Sequence, residues 1–153
     1  MVRGVTLRCP NEYGRHLGRI LEPLDIEKYQ WRFVGGEVYR IINDELSDDL
    51  FPDENSWISG EDFRALINQE SYYPIFAHLQ AWPTKELNEI QTYEDFLISN
   101  CKMVILVADT EFITIYIKDN TQIYALYEHA VNQGYQHVIL LNKESDTRTK
   151  LDF

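Results

Sequence analysis

Between residues 102 and 142 the chain sets out four elements with almost no connecting residues. Two apolar runs, Lys102 to Ala108 and Glu111 to Lys118, flank Asp109-Thr110, a spacing that predicts two strands joined by a tight β-hairpin. Asn120 to Gln133 then places Ile123, Leu126, Tyr127, Ala130 and Val131 at helical spacing and stops at Gly134. His137 to Asn142 returns as an apolar strand. Met103 to Ala108 is apolar on both faces, so this strand is expected at the centre of a sheet covered on both sides.

The first half of the chain reads similarly. Val2 to Arg8 alternates as a half-buried strand, and Asn11 caps a predicted helix whose stripe is Tyr13, Leu17, Ile20, Leu21 and Leu24. Gly14 and Gly18 weaken that helix, which points to close packing. Tyr29 to Val34 and Glu37 to Ile42 surround Gly35-Gly36, predicting a second hairpin that sets Trp31 opposite Arg40 as a cation–π pair. Ser59 and Asp62 have capping spacing for a short helix carrying Phe63, Leu66 and Ile67. Tyr72 to Trp82 alternates as a strand, with Pro74 marking an edge or a bulge. Thr92 caps a short helix through Tyr93, Phe96 and Leu97.

The expected fold is α+β, a mixed and mainly antiparallel sheet of about seven strands with three to four short helices. The order helix, hairpin, helix, strand occurs twice, which suggests two similar halves. Residues 1–153 read as a single domain whose last segment, 143–153, is free to fray. The edge of the Tyr72 strand offers a place for a second copy to pair as a homodimer.

Composition narrows the class of function. A formal charge of −11 repels phosphate backbones, which argues against nucleic acid and anionic membranes as partners. No apolar run reaches transmembrane length and the start reads as a strand rather than a signal peptide, so a cytoplasmic protein is expected. Cys9 and Cys101 lie in no CxxC pair and read as reduced, buried thiols.

The charge is uneven: Arg3, Arg8, Arg15 and Arg19 against Glu12 make the first 19 residues net positive, whereas Ile41 to Phe63 holds acids with no lysine or arginine. Within that run Asp44, Glu45, Asp48, Asp49, Asp53 and Glu54 are candidate contacts for a basic partner, although a solvated loop explains them as well.

No phosphate-cradling, nucleophile-elbow, zincin or EF-hand pattern is present, so no catalytic residue, metal ligand or cofactor is assigned. Among the histidines, His16 is expected in solvent beside Arg15, and His129 and His137 lack a third ligand at metal-site spacing. His78 shares a strand face with Gln80 and Trp82, a mixture suited to a planar or sugar-like ligand, with Arg40 or Arg15 as an anion contact.

Several short motifs together resemble an uncharacterised family of small intracellular proteins from Bacillus and related Firmicutes, a domain of unknown function. They are Arg3-Gly4-Val5, Pro10-Asn11-Glu12-Tyr13-Gly14, Gly35-Gly36-Glu37, Tyr93-Glu94-Asp95-Phe96-Leu97 leading to Cys101, Tyr116-Ile117-Lys118-Asp119 and Asp146-Thr147-Arg148-Thr149. The resemblance covers nearly the whole chain, implies a cytoplasmic location and supplies no catalytic residues.

Two functions are therefore expected from the sequence. The first is a soluble, acidic, non-enzymatic binding or regulatory protein acting through the acidic run. The alternative is a small-ligand enzyme or sensor with a pocket near His78, Gln80 and Trp82.

Overall fold

A computed structural model describes residues 1–153. Its strands are β1 (Val2–Arg8), β2 (Gln30–Ile42), β3 (Glu45–Asp49), β4 (Ser56–Ser59), β5 (Tyr72–Trp82), β6 (Met103–Ala108), β7 (Phe112–Ile117) and β8 (Gln136–Asn142). They form one sheet in the order β3-β2-β5-β6-β7-β1-β8, with β4 also paired to β2. Four helices cover it: α1 (His16–Ile20), α2 (Gly60–Gln69), α3 (Tyr93–Ile98) and α4 (Asn120–Asn132). The α+β class is as expected. The sheet has eight strands because the acidic stretch, expected as a loop, supplies β3 and β4, and its pairings are antiparallel throughout rather than mixed.

Where local chemistry decides, the structure follows the pattern of the sequence. Asp109 and Thr110 take positive φ (49° and 65°) and close the β6–β7 hairpin, with Ala108 paired to Phe112. Ser59 Oγ accepts from Asp62 N at 3.2 Å to start α2, and Thr92 with Asp95 forms a reciprocal capping box on α3. α4 ends at Gly134, whose φ of 83° leaves the helix without a Cβ penalty.

Where distant strands decide, the expectations fail. Gly35-Gly36 is not a turn but the middle of the longest strand, since β5 pairs with β2 from Gln30 to Arg40. The ladder slips between Phe33 and Gly35 and again between Glu37 and Val38, the latter opposite Pro74. Gly36, at φ 142°, lies so close to β5 that a Cβ there would stand 2.2 Å from the Phe76 carbonyl oxygen. The hairpin bends instead at Asn43-Asp44, both at positive φ (54° and 61°), the conformation favoured in two-residue β-turns. Trp31 consequently stacks on Phe63 with centroids 4.2 Å apart, and Arg40 pairs with Glu70 at 3.1 Å.

The first helix is also shorter than predicted. Asn11 does not cap it, because Gly14 is drawn into a β-bridge with Tyr72, and α1 begins only at His16. Gly18 is packed as foreseen, but against α2: a Cβ there would meet Asn68 and the Ile67 carbonyl at 2.4 Å. The two halves do not share a connectivity, since β5 returns beside β2 whereas β8 lies beside β1. β5 is interior, held by β2 on one side and by β6, Gly14 and the Thr110 amide on the other, so it has no edge for self-pairing.

One face of the sheet carries the larger core, in which α1, α2 and α4 bury Leu17, Ile20, Phe63, Ile67, Ile123 and Leu126 against Val5, Trp31, Leu79 and Ile105. The other face holds a smaller core of Trp82, Phe96, Val104, Leu106, Tyr116 and Leu151 under α3 and the C-terminal segment. Residues 143–153, expected to fray, are docked there. The Leu151 amide donates to the Gln91 carbonyl at 2.8 Å, and Asp146, with 4% of its side chain exposed, accepts from Arg3 at 3.1 Å and from the Tyr116 hydroxyl at 3.0 Å. No helix is long and apolar enough to cross a membrane.

Candidate functional site

Alternation along β5 places His78, Gln80 and Trp82 in a row on the second face of the sheet. The Trp82 indole can only donate, and it donates to Gln80 Oε1 at 3.1 Å. That contact orients the amide so that its NH2 group meets His78 Nε2 at 3.2 Å, which makes Nε2 the acceptor and leaves the proton on Nδ1. Burial pushes the His78 pKa down to about 4, with Asp152 pulling it upward and Arg32 pushing it down. The imidazole is therefore neutral and its tautomer fixed by a relay that ends in an indole.

Only the far end of this row reaches open space. Gln80 and Trp82 are buried behind His78, whereas His78 lines a cavity of about 460 Å³ with Gly35, Gly36, Glu37, Glu54, Phe76, Asp152 and Phe153. The Phe76 and Phe153 rings, centroids 5.0 Å apart, make its apolar wall. A second cavity of about 280 Å³ adjoins it across Gly36, Glu37 and Glu54 and is lined further by Asp49, Asp53 and Phe51.

The acidic run is thus divided. Asp44, Glu45, Asp48 and Asp49 lie on the exposed turn and on β3 at the end of the sheet, while Asp53 and Glu54 belong to the loop that folds back toward the diglycine. None of the six takes part in an ion pair. Glu54 reaches over Gly35, where a Cβ would sit 3.2 Å from its Oε1. One acid of the run and one residue of the β5 row, expected in separate sites, therefore face the same cavity. Arg40 and Arg15, the expected anion contacts, are engaged elsewhere, Arg40 with Glu70 and Arg15 with the Asn68 carbonyl at 3.0 Å.

Sequence reasoning missed Glu37 and Asp152. Glu37 directly follows the diglycine, but reading that pair as a turn removed it from the strand face it shares with His78. Asp152 lies in the segment expected to fray.

A second cluster of polar groups surrounds Cys9. His16, expected in solvent, is buried, with Nε2 3.0 Å from Glu12 Oε1 and Nδ1 2.9 Å from the Tyr135 hydroxyl. The carboxylate requires a donor from Nε2, and the phenol, which can donate or accept, serves Nδ1. Burial, reinforced by Glu12, pushes the Cys9 thiol up to about 12, the opposite of what an activated nucleophile needs. The cluster ties the loop after β1 to the loop after α4.

A family model described as "Protein of unknown function (DUF2691)" matches residues 2–152. The chain is also similar to the "Uncharacterized protein YncE" of Bacillus subtilis (strain 168), with 38% identity over 152 residues, covering 99% of each. No solved structure matches it.

Proposed function

We propose that this chain, which belongs to the DUF2691 family, is a cytoplasmic, non-enzymatic binding or regulatory protein whose acidic hairpin meets a basic surface on a protein partner. The observation that carries this reading is that Asp44, Glu45, Asp48 and Asp49 stand exposed on the turn and strand that end the sheet, with Asp53 and Glu54 in the loop that follows, and that none of the six is in an ion pair. Like charges gathered in one stretch without a cation repel one another, a cost that a cationic partner relieves. Ile42 and Leu46 stand exposed in the same hairpin and give such a partner an apolar footing. β3 ends the sheet, so one row of its backbone groups is also free.

Charges of this kind chiefly set association rate and salt dependence. Replacing Glu45, Asp48 and Asp49 together by lysine changes only exposed side chains and leaves the positive-φ turn intact, so the melting temperature should hold while partners captured from cell extract at low salt are lost. Recovery of the same partners with the same salt response from the reversed variant would remove the proposal.

A further inference from the structure

We infer that β8, the strand at the end of the sheet opposite β3, pairs antiparallel with β8 of a second copy of this chain, joining two sheets into one across a two-fold axis. The backbone fixes which groups it uses. The Cys9 amide donates to the Glu111 carbonyl, so along the alternating ladder Val5 and Leu7 bond to β7, while Gly4 and Thr6 bond to Leu141 and Ile139 of β8. The N–H and C=O groups of Val138 and Leu140 therefore point away from β1, and no other group of the chain meets them.

This free row is bounded at both ends. His137, at φ 51°, bulges the strand before it, and the turn that follows takes the Asn142 amide onto Ser145 Oγ and the Asn142 carbonyl onto the Asp146 amide. What remains is complementary to itself. With Ile139 set opposite the partner's Ile139, Val138 faces the partner's Leu140 and Leu140 faces the partner's Val138, which satisfies every outward group of both strands.

The helix layer favours the same operation. α4 lies over β1 and β8, and His129 on it meets the Arg19 carbonyl of α1 at 2.7 Å, so that side of α4 faces the middle of the sheet. Tyr124, Tyr127 and Val131 stand at i, i+3 and i+7 on the opposite side, which overhangs the β8 edge. Tyr124 and Val131, like Ile139 on the other face of the sheet, are close to half exposed. With strands about 4.8 Å apart, the two-fold axis brings α4 and its copy to roughly 10–14 Å, a gap that tyrosine side chains fill.

Charge decides between the two ends of the sheet. Between Asp119 and Lys143 the only Asp, Glu, Lys or Arg is Glu128, in a chain of net charge −11. β3 carries Glu45, Asp48 and Asp49, which turn a like strand away, whereas β8 has neither a charge nor a proline. A foreign extended segment would bond the same backbone row and leave the α4 flank bare; a second copy covers both layers at once.

The full chain is followed by sedimentation velocity and hydrogen exchange over roughly 1–100 μM. A species of twice the 18.1 kDa chain mass is expected to grow with concentration, and the Val138 and Leu140 amides should become protected with it. Ile139→Lys and Ile139→Glu each place like charges on the axis and should associate at least tenfold more weakly, roughly, than the parent, while their equimolar mixture dimerises. If those variants fail to fold, Ile139→Cys reads the same contact. Opposed residues of such a pair stand about 4.5 Å apart at Cα, within reach of a disulfide, so diamide should cross-link this variant natively, the two native cysteines being buried. Leu46→Cys, on β3, should stay uncross-linked.

A chain monomeric throughout the range, a dimer in which the Val138 and Leu140 amides exchange freely, either charged variant dimerising alone as tightly as the parent, a mixture no more dimeric than its components, or cross-linking of the Leu46 variant in place of the Ile139 variant would each overturn the inference. The Glu45, Asp48 and Asp49 lysine variant should dimerise as the parent does, so failure of this edge and failure of the acidic hairpin are read separately.

Discussion

Gly36 shows how one residue fixes the course of the longest strand. A Cβ there would collide with the backbone of β5 at a φ that other residues avoid, so Gly36→Ala is expected to destabilise the fold by about 3 kcal/mol, read from urea denaturation. The sequence made the glycine pair conspicuous but not its purpose. Glycine serves a tight turn and a slipped ladder equally well, and the choice between them rests on Phe76 and Pro74, which arrive only when β5 pairs. His78 illustrates the same division: its position on a strand face was legible, whereas its neutrality depends on burial in the assembled sheet and its tautomer on Gln80 being oriented by Trp82.

A pH dependence follows from His78. Unfolded, the imidazole titrates near 6.5; folded, near 4. Between those values the unfolded chain holds a proton that the folded one does not, so His78 makes stability fall as pH drops from about 6.5 and level off near 4. Denaturation midpoints across that window should show this slope, and His78→Gln should flatten it.

Among the elements, those closed by their own flanking residues were readable. α2 with Ser59, α3 with Thr92 and Asp95, α4 with Gly134 and the β6–β7 turn each contain the groups that terminate them. α1 and the C-terminal segment were not readable, because distant groups capture them: Tyr72 takes the backbone of Gly14, and Arg3 and Tyr116 take the carboxylate of Asp146. Arg3 also lies over the Tyr93 ring, 4.0 Å from its centroid, so β1, β7, α3 and the last segment meet at one point. Asp146→Ala leaves a largely buried guanidinium and a phenol without their acceptor and is expected to cost about 3 kcal/mol. The accompanying signature is faster hydrogen exchange at the Leu151 amide, with the amides of β6 remaining protected relative to it.

Across the whole molecule, the two cores are separated by the sheet, and each contains one cysteine. Cys9 belongs to the larger and Cys101 to the smaller, and burial pushes both thiols up to about 12. Neither should react with a disulfide reagent in the native state, and in mild denaturant both should become reactive at the rate of global unfolding. Early reaction of Cys101 alone would reveal that the α3 face opens by itself.

The strand order also bears on how the chain is made. β1 leaves the ribosome before the other strands of the sheet, yet its two neighbours, β7 and β8, follow only after β2 to β6. A nascent chain can assemble β2 to β5 while residues 2–8 stay unpaired, and it must shelter the apolar side of that strand from other emerging polypeptides until β7 and β8 have emerged.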